Sequence, residues 1–296
     1  MRILNLEEIR GALDDTKAID CMRAALIAHA RGECDTPMPM HLEIGGGEVH
    51  MKSASRRGGK YFVLKMATTF QGRGNGMMLL ASAETGEPVA YLNDAGHLTD
   101  VRTAAVAAMI ARELGRADQT IGILGSGIQA RLTARFHARV LPLRRVYLWG
   151  RSPDRVESCA QELRRFVPDV VIASSPSAVA AATRLIVTCT SARQPLLAES
   201  DIEPGTHITA IGADSPGKQE LDPAILRAAP LLLVDSRAQC ERLGELQHAA
   251  DLSGRAVEIG AFCQSPHPAE SSFADLTGLG AEDLFIAESV LENSNL

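Results

Sequence analysis

The chain has 296 residues, 46 % of them apolar and 22 % charged, a balance that fits a globular protein of more than one core. Its net charge is −6, which argues against a nucleic-acid footprint. Arg144, Arg145 and Arg151 form one local cluster and no stripe. The N-terminus MRILNLEEIRGALDD is charged almost at once and lacks the apolar stretch of a signal peptide. The uncharged run Val170 to Thr183 is too short, and too rich in Ser and Pro, to span a bilayer. No membrane partner is expected, and the cytoplasm is the expected location. The six cysteines (Cys21, Cys34, Cys159, Cys189, Cys240, Cys263) form no C-x-x-C pair, so reduced core thiols are expected rather than a zinc site or a disulfide framework.

Asp14 and Asp15 precede a run with Ile19, Met22, Ala25, Leu26 and His29 at helical spacing. Extended segments are predicted at His41 to Ile44, Val49 to Ala54 and Tyr61 to Thr69. Gly76 to Ala83 and Pro88 to Asn93 flank Glu84-Thr85-Gly86-Glu87 and read as a β-hairpin. The segment TDVRTAAVAAMIARELGR predicts a helix with Thr99 as its N-cap. Its alanines make it slim enough for close packing. Strands and helices then alternate. Strands are predicted at Thr120 to Leu124, Val146 to Trp149, Val170 to Ala173, Leu185 to Cys189, His207 to Ile211 and Leu231 to Val234. Helices are predicted at Ile128 to Val140, from a Ser152 cap to about Phe166, and at Gly280 to Leu291. The pattern implies an α/β fold: a doubly wound parallel sheet of Rossmann type, preceded by an α+β domain.

The strongest motif is TIGILGSGIQARLTARF. An apolar strand runs into Gly125-Ser126-Gly127-Ile128-Gln129-Ala130, and a helix follows. This is the G-x-G-x-x-A form of the dinucleotide fingerprint. Gly125 permits the turn, Gly127 lets the backbone approach a pyrophosphate, and Ala130 lets helix and strand pack. The helix N-terminus then offers N–H groups to the phosphates. At the tip of the second strand stand Gly150, Arg151 and Ser152, where an NAD enzyme usually has an acid. An arginine and a hydroxyl attract a 2′-phosphate, so NADP is preferred over NAD. The alternative is a solvated loop charge and a simple helix cap.

Three further residues invite a chemical reading. Lys65 lies in the apolar strand FVLKM, either desolvated for function or as an edge charge. Arg102 falls in the first turn of the alanine-rich helix, where the macrodipole opposes a cation but a bound carboxylate would not be opposed. Asp214 follows a strand and precedes Ser215-Pro216-Gly217. It is either a turn residue or a group at the ligand edge of the sheet. Thr190 and Ser191 end another strand, on the expected nicotinamide side. His41, His97 and His248 show no metal-ligand spacing, so no metal is expected. Glu245 fits a helix start.

With GILGSGIQAR, the stretches YFVLKMATTF, SAETGEPVAYLND, GHLTDVRTAAVAAMIARELGR, ITAIGADSPGKQELDPAIL and LLLVDSRAQCERLGEL resemble the ornithine cyclodeaminase and mu-crystallin family, in the same order through most of residues 6 to 290. The resemblance implies a substrate and dimerisation domain over residues 1–114. A Rossmann domain would cover 115–277, and a C-terminal helix, 278–296, would pack back on the first domain. It implies a homodimer and hydride exchange between nicotinamide and the Cα of a small amino or imino acid. Lys65 would contact the substrate carboxylate or reacting nitrogen, Arg102 the carboxylate, and Asp214 would be the general acid/base.

Two departures stand out. The family's arginine after a proline is replaced by Met40 in Pro37-Met38-Pro39-Met40. Its Gly-Leu-Pro-Thr stretch is replaced by Gln71-Gly72-Arg73-Gly74-Asn75-Gly76, read as a shortened loop. A ketimine reductase or amino-acid dehydrogenase is therefore the first reading. Ornithine cyclodeamination with a recycled cofactor is the second. An NADPH-binding protein with little catalysis is the third.

Overall fold

The computed structural model describes residues 1–294. It divides into two compact units, one built from residues up to Val106 and from Leu279 onward, the other from Ala107–Gly278. The boundary lies inside a helix rather than at residue 114. From Ala107 on, that helix belongs to the second unit, where Met109 meets Cys263.

The first unit opens with β1 (Arg2–Leu4), α1 (Leu6–Ala12) and α2 (Asp15–Ala30). Asp14 caps α2 by accepting from the Lys17 N–H, and Ile19, Met22, Ala25 and Leu26 face the core. Then come β2 (Cys34–Asp35), β3 (Met40–Ile44), β4 (Gly47–Arg56), β5 (Tyr61–Phe70), β6 (Arg73–Ser82) and β7 (Pro88–Leu92). They form a seven-stranded sheet in the order β1-β7-β6-β5-β4-β2, with β3 also on β4. Its pairs are antiparallel except β1 with β7. The hairpin at residues 84–87 forms as read, with Ala81 opposite Pro88.

The stretch at residues 71–76 is not a loop. Gln71 and Gly72 alone make the turn, both at positive φ (51° and 71°), and Arg73 to Gly76 continue as strand opposite β5. That backbone is the two-residue hairpin turn whose twist matches the flanking strands. The alanine-rich helix, α3 (His97–Glu113), starts before Thr99. Ala95 and Gly96 turn the chain at positive φ, and the Asp94 carboxylate accepts from the Leu98 N–H at 2.7 Å. Thr99 is thus inside the helix, and Arg102 lies in its second turn, not its first.

The second unit alternates as the periodicity demands. It comprises β8 (Thr120–Leu124), α4 (Ile128–Val140), β9 (Arg145–Trp149), α5 (Pro153–Leu163), β10 (Asp169–Ile172), α6 (Pro176–Ala182) and β11 (Leu185–Thr188). There follow β12 (Arg193–Leu197), β13 (His207–Ala210), β14 (Gln219–Leu221), α7 (Pro223–Ala228), β15 (Leu231–Val234), α8 (Arg237–Leu243), β16 (Val257–Glu258), α9 (Ile259–Gln264) and β17 (Ser272–Asp275). Eight strands form one parallel sheet in the order β10-β9-β8-β11-β13-β17-β15-β16. Strands β11, β13, β15 and β17 are buried along their whole length, as expected of a sheet covered on both faces. The chain runs outward from β8 in both directions, so β8 marks the switch point.

The last element, α10 (Gly280–Asn293), belongs to the first unit and packs on α2, β4 and β5. A Cβ on Gly280 would sit 2.3 Å from the Ser53 carbonyl, so the helix start lies directly on β4. The helix was expected to reach residue 296; residues 295 and 296 lie outside those described. Among the described residues no helix is long and apolar enough to cross a membrane.

Candidate active site

The carboxyl edge of the parallel sheet gathers most of the candidate residues. β8, β9, β11 and β13 are neighbours, and their ends lead into Gly125, Gly150, Thr190 and Asp214 respectively. Gly125 has φ 132°, and a Cβ there would lie 2.6 Å from the Cys189 sulfur and 2.7 Å from its carbonyl. Only glycine fits. Gly127 is different: a Cβ there would meet nothing within 4 Å. Its backbone borders open space at the start of α4, whose first N–H groups receive no side-chain cap. Ala130 is fully buried under that turn, whereas Ile128 is 52 % exposed beside it. Ser126 and Gln129 are half-buried.

Gly150 is also required. A Cβ would lie 2.9 Å from both Ser126 Oγ and Val156 Cγ2. An acid at this position would therefore disrupt the turn. Arg151 is exposed, and the Ser152 hydroxyl makes no capping hydrogen bond to α5. Proline at the next position removes one N–H that a cap would otherwise satisfy.

A buried carboxylate ties these strand ends together. Glu220 accepts from the Thr190 N–H (2.6 Å) and hydroxyl (2.7 Å) on one oxygen. The other accepts from the Thr188 hydroxyl (2.7 Å) and the Gly212 N–H (2.9 Å). Burial pushes its pKa up, and these donors oppose that. Thr190 is thus committed to Glu220, while Ser191 is exposed. Asp214 follows Gly212 on a loop pinned at its far side by Gln247, which accepts from the Gly217 N–H. The Asp214 carboxylate accepts from Lys218 Nζ at 2.6 Å and Ser215 Oγ at 3.1 Å.

Behind Glu220, Glu245 starts a 3-10 turn and accepts from the Glu220 N–H at 2.7 Å. Its second oxygen is buried with no hydrogen-bond partner. Burial first, and then the charge of Asp275, push its pKa from 4.5 up to about 9. The folded protein therefore keeps a proton that the unfolded chain releases. This stabilisation is complete below about pH 4.5 and is lost as pH rises through about 9. Glu245→Gln is expected to flatten that loss. Urea unfolding of both proteins at several pH values between about 6 and about 9 checks it. Equal pH slopes would contradict it.

In the first unit, Lys65 and Arg102 are brought together by α10. Lys65 Nζ lies 3.6 Å from Asp283 Oδ2, Arg102 Nε 3.5 Å from Asp283 Oδ1, and Arg102 Nη1 3.1 Å from Glu282 Oε2. All four side chains are buried. Glu282 and Asp283 stand in the first turn of α10, where the macrodipole favours acids. Two cations thus face two carboxylates, which offsets the cost of taking each charge out of water.

The ornithine cyclodeaminase/mu-crystallin family model matches residues 3–295. The chain belongs to that family. A putative dehydrogenase of Rhizobium meliloti is 37 % identical over all of this chain and 96 % of its own length. An archaeal alanine dehydrogenase, solved as a dimer with bound NAD, superimposes with a TM-score of 0.88. It is 26 % identical and covers 100 % of this chain and 96 % of its own. The iminosuccinate reductase of Paracoccus denitrificans, solved with NAD+, gives 0.87 at 28 % identity, again over 100 % and 96 %.

Within this family the chain's departures now have a geometry. Met40 is 57 % exposed. It pairs with Met51, which pairs with Met66, whereas Lys65 pairs with Lys52. Alternation therefore puts Met40 on the sheet face opposite Lys65. Met40 is not an apolar substitute beside Lys65; the β3 residues on that face are His41 and Glu43. The sequence reading also passed over Glu220, Glu282 and Asp283. Glu220 carried a signal, two residues after Lys218 in the segment Gly212 to Leu221. Glu282 and Asp283 looked like an ordinary acidic first turn. His248 is satisfied by the Lys218 carbonyl at 2.9 Å, and His97 begins α3.

Proposed function

We propose that this protein is an NAD(P)-dependent oxidoreductase that acts at the Cα of a small amino or imino acid, in the sense of a ketimine reductase or amino-acid dehydrogenase. The observation that carries the reading is the set of strand ends at β8, β11 and β13. It joins a glycine turn open to a ligand at Gly127 with an exposed aspartate at Asp214. The relatives named above support it, since two are called dehydrogenases and the third a reductase.

The fit for a dinucleotide is good. The uncapped N–H groups of α4 hold the pyrophosphate, and Ile128 and Gln129 flank it. Arg151 and Ser152 hold a 2′-phosphate, so NADP is preferred. Bound nicotinamide supplies or takes the hydride. Lys65 and Arg102 bind the substrate carboxylate, and Asp283 orients both. Asp214 gives or takes the proton on the substrate nitrogen, and Lys218 holds its carboxylate in place. Glu220 positions Thr190, Ser191 and the Asp214 loop without touching substrate.

Two expected results follow from the cofactor and partner readings. Trp149, the single tryptophan, sits beside Gly150 and reports binding by fluorescence. NADPH is expected to bind more tightly than NADH, and Arg151→Ala to narrow the gap by roughly 10-fold. Equal titration curves in the parent protein would defeat this. The second result is a homodimer. Met40, Leu42, Ile44, Leu64 and Phe70, exposed by 39–57 %, lie on one face of the first unit's sheet. An apolar face of this kind marks an interface. Light scattering is expected to give a dimer mass, and Ile44→Asp with Leu64→Asp a monomer. A monomeric parent protein would overturn it.

The activity test is a panel of cyclic ketimines, 2-oxo acids with amines, and ornithine, assayed with both cofactors. The proposal expects NAD(P)H absorbance to change in proportion to product. Ammonia release from ornithine at constant absorbance would identify a cyclodeaminase instead. Tight NADPH binding with no turnover on any substrate would identify a binding protein.

A further inference from the structure

The β3–β4 hairpin turns on Gly45 and Gly46, both at positive φ (48° and 89°). A two-residue turn of this kind fixes the register. His41 therefore stands directly opposite His50, and Glu43 opposite Glu48. Residues two apart on a strand share a face, so Glu48 and His50 are neighbours with His41 across from them. The two imidazoles stack with centroids 4.5 Å apart. Both present Nε2 to the same carboxylate oxygen, Glu48 Oε2, at 3.6 Å from His41 and 3.5 Å from His50. The three atoms lie within 4.8 Å of one another. All three side chains are half-buried, and His41 Nε2 is buried with no hydrogen-bond partner.

Hydrogen bonding between the two rings and Glu48 does not account for their approach. Distances of 3.5 and 3.6 Å are longer than good N–H···O bonds. Protonating both stacked rings would set two like charges side by side. A single cation among the three atoms would satisfy all of them after small inward shifts. Two imidazole nitrogens and one carboxylate suit a borderline first-row ion; Mg2+ and Ca2+ prefer all-oxygen sets. Three protein ligands also leave a position for water or another ligand.

We propose that His41, Glu48 and His50 form a binding site for a divalent transition ion, Zn2+ above all. The site lies on the sheet face that carries Lys65 and uses none of the residues given a role above. The local sequence pattern hides it, because His-x6-Glu-x-His becomes a cluster only when the hairpin closes.

The test is a Zn2+ titration of the full-length protein against a chromophoric chelator, after metal removal and with the cysteines blocked. The expected result is one zinc per chain. His50→Ala and Glu48→Gln are each expected to weaken it at least about 10-fold. Co2+ added to the parent protein is expected to show visible bands that both variants lose. Glu48→Gln keeps the side-chain shape and decides the matter if His50→Ala folds poorly. No zinc binding by the parent, or equal affinity in parent and Glu48→Gln, would overturn the proposal.

Discussion

Asp214→Asn is expected to slow turnover by about 10²–10⁴-fold while leaving NADPH affinity nearly unchanged. The substitution keeps shape and hydrogen bonding but removes the ionisable proton. The Asp214 carboxylate also holds Lys218 and Ser215, and an amide oxygen can still accept from both. The loop is pinned independently by Gln247 and by Glu220 at Gly212, so its path should survive. The glycine turn at Gly125 to Ala130 is on another strand end and is untouched. Arg102→Lys should differ. It keeps a cation opposite Glu282 but loses the planar fork, so KM should rise more than kcat falls. Steady-state kinetics of the two variants on the best substrate of the panel separate the two signatures. Near-parental turnover in Asp214→Asn would make Asp214 a turn residue only.

Asp283→Ala is expected to destabilise the fold by about 3–5 kcal/mol, because it leaves Lys65 and Arg102 buried with one carboxylate fewer between them. Asp283 is fully buried and within 3.6 Å of both cations. Lys65 is 3 % exposed and Arg102 6 %, so water compensates little for the lost carboxylate. The melting temperature should fall by on the order of 10 °C in scanning calorimetry. Lost substrate binding should accompany the change even below the transition, as both anchors lose their orientation. A shift of only about 1 °C would mean that the cluster relaxes freely and that Asp283 positions nothing.

The alternating first part of the second unit was legible in the sequence, but β17 in the middle of its sheet, the β12–β14 pair and the short helices α6 to α9 were not. β8 and α4 have the bounds their apolar pattern assigns, because a parallel strand buried on both faces reads as a short continuous apolar run. The glycine fingerprint marked the switch point for the same reason: its residues obey local backbone rules. The first unit was harder. Its strands were readable, but the 71–76 stretch was taken for a loop because three glycines in six residues imitate one. What decided otherwise was pairing with β5, a tertiary fact. The start of α3 was misplaced because Asp94, five residues before Thr99, caps it through a glycine turn.

The candidate site divides in the same way. Gly125, Gly127 and Ala130 are tied to one local geometry, and their reading needs no distant partner. Lys65 and Arg102 were legible as misplaced charges, but their partners are far along the chain, on α10. Glu220 looked like part of a motif with no evident task until the ends of β11 and β13 were seen to converge on it. His41 shows no metal-ligand spacing along the chain and His50 carries no signal of its own; the closed hairpin that pairs them makes such spacing irrelevant.

The central claim, hydride transfer to Cα, is tested most directly by isotope transfer. NADPH carrying deuterium at the nicotinamide 4-position is incubated with the enzyme and each imine of the panel, and the product is examined by mass spectrometry and NMR. The account predicts an amino acid that gains one deuterium, at Cα, for each NADPH oxidised. An amino acid product formed without label from cofactor stereospecifically deuterated on either face, or no product from any imine despite tight NADPH binding, would contradict it.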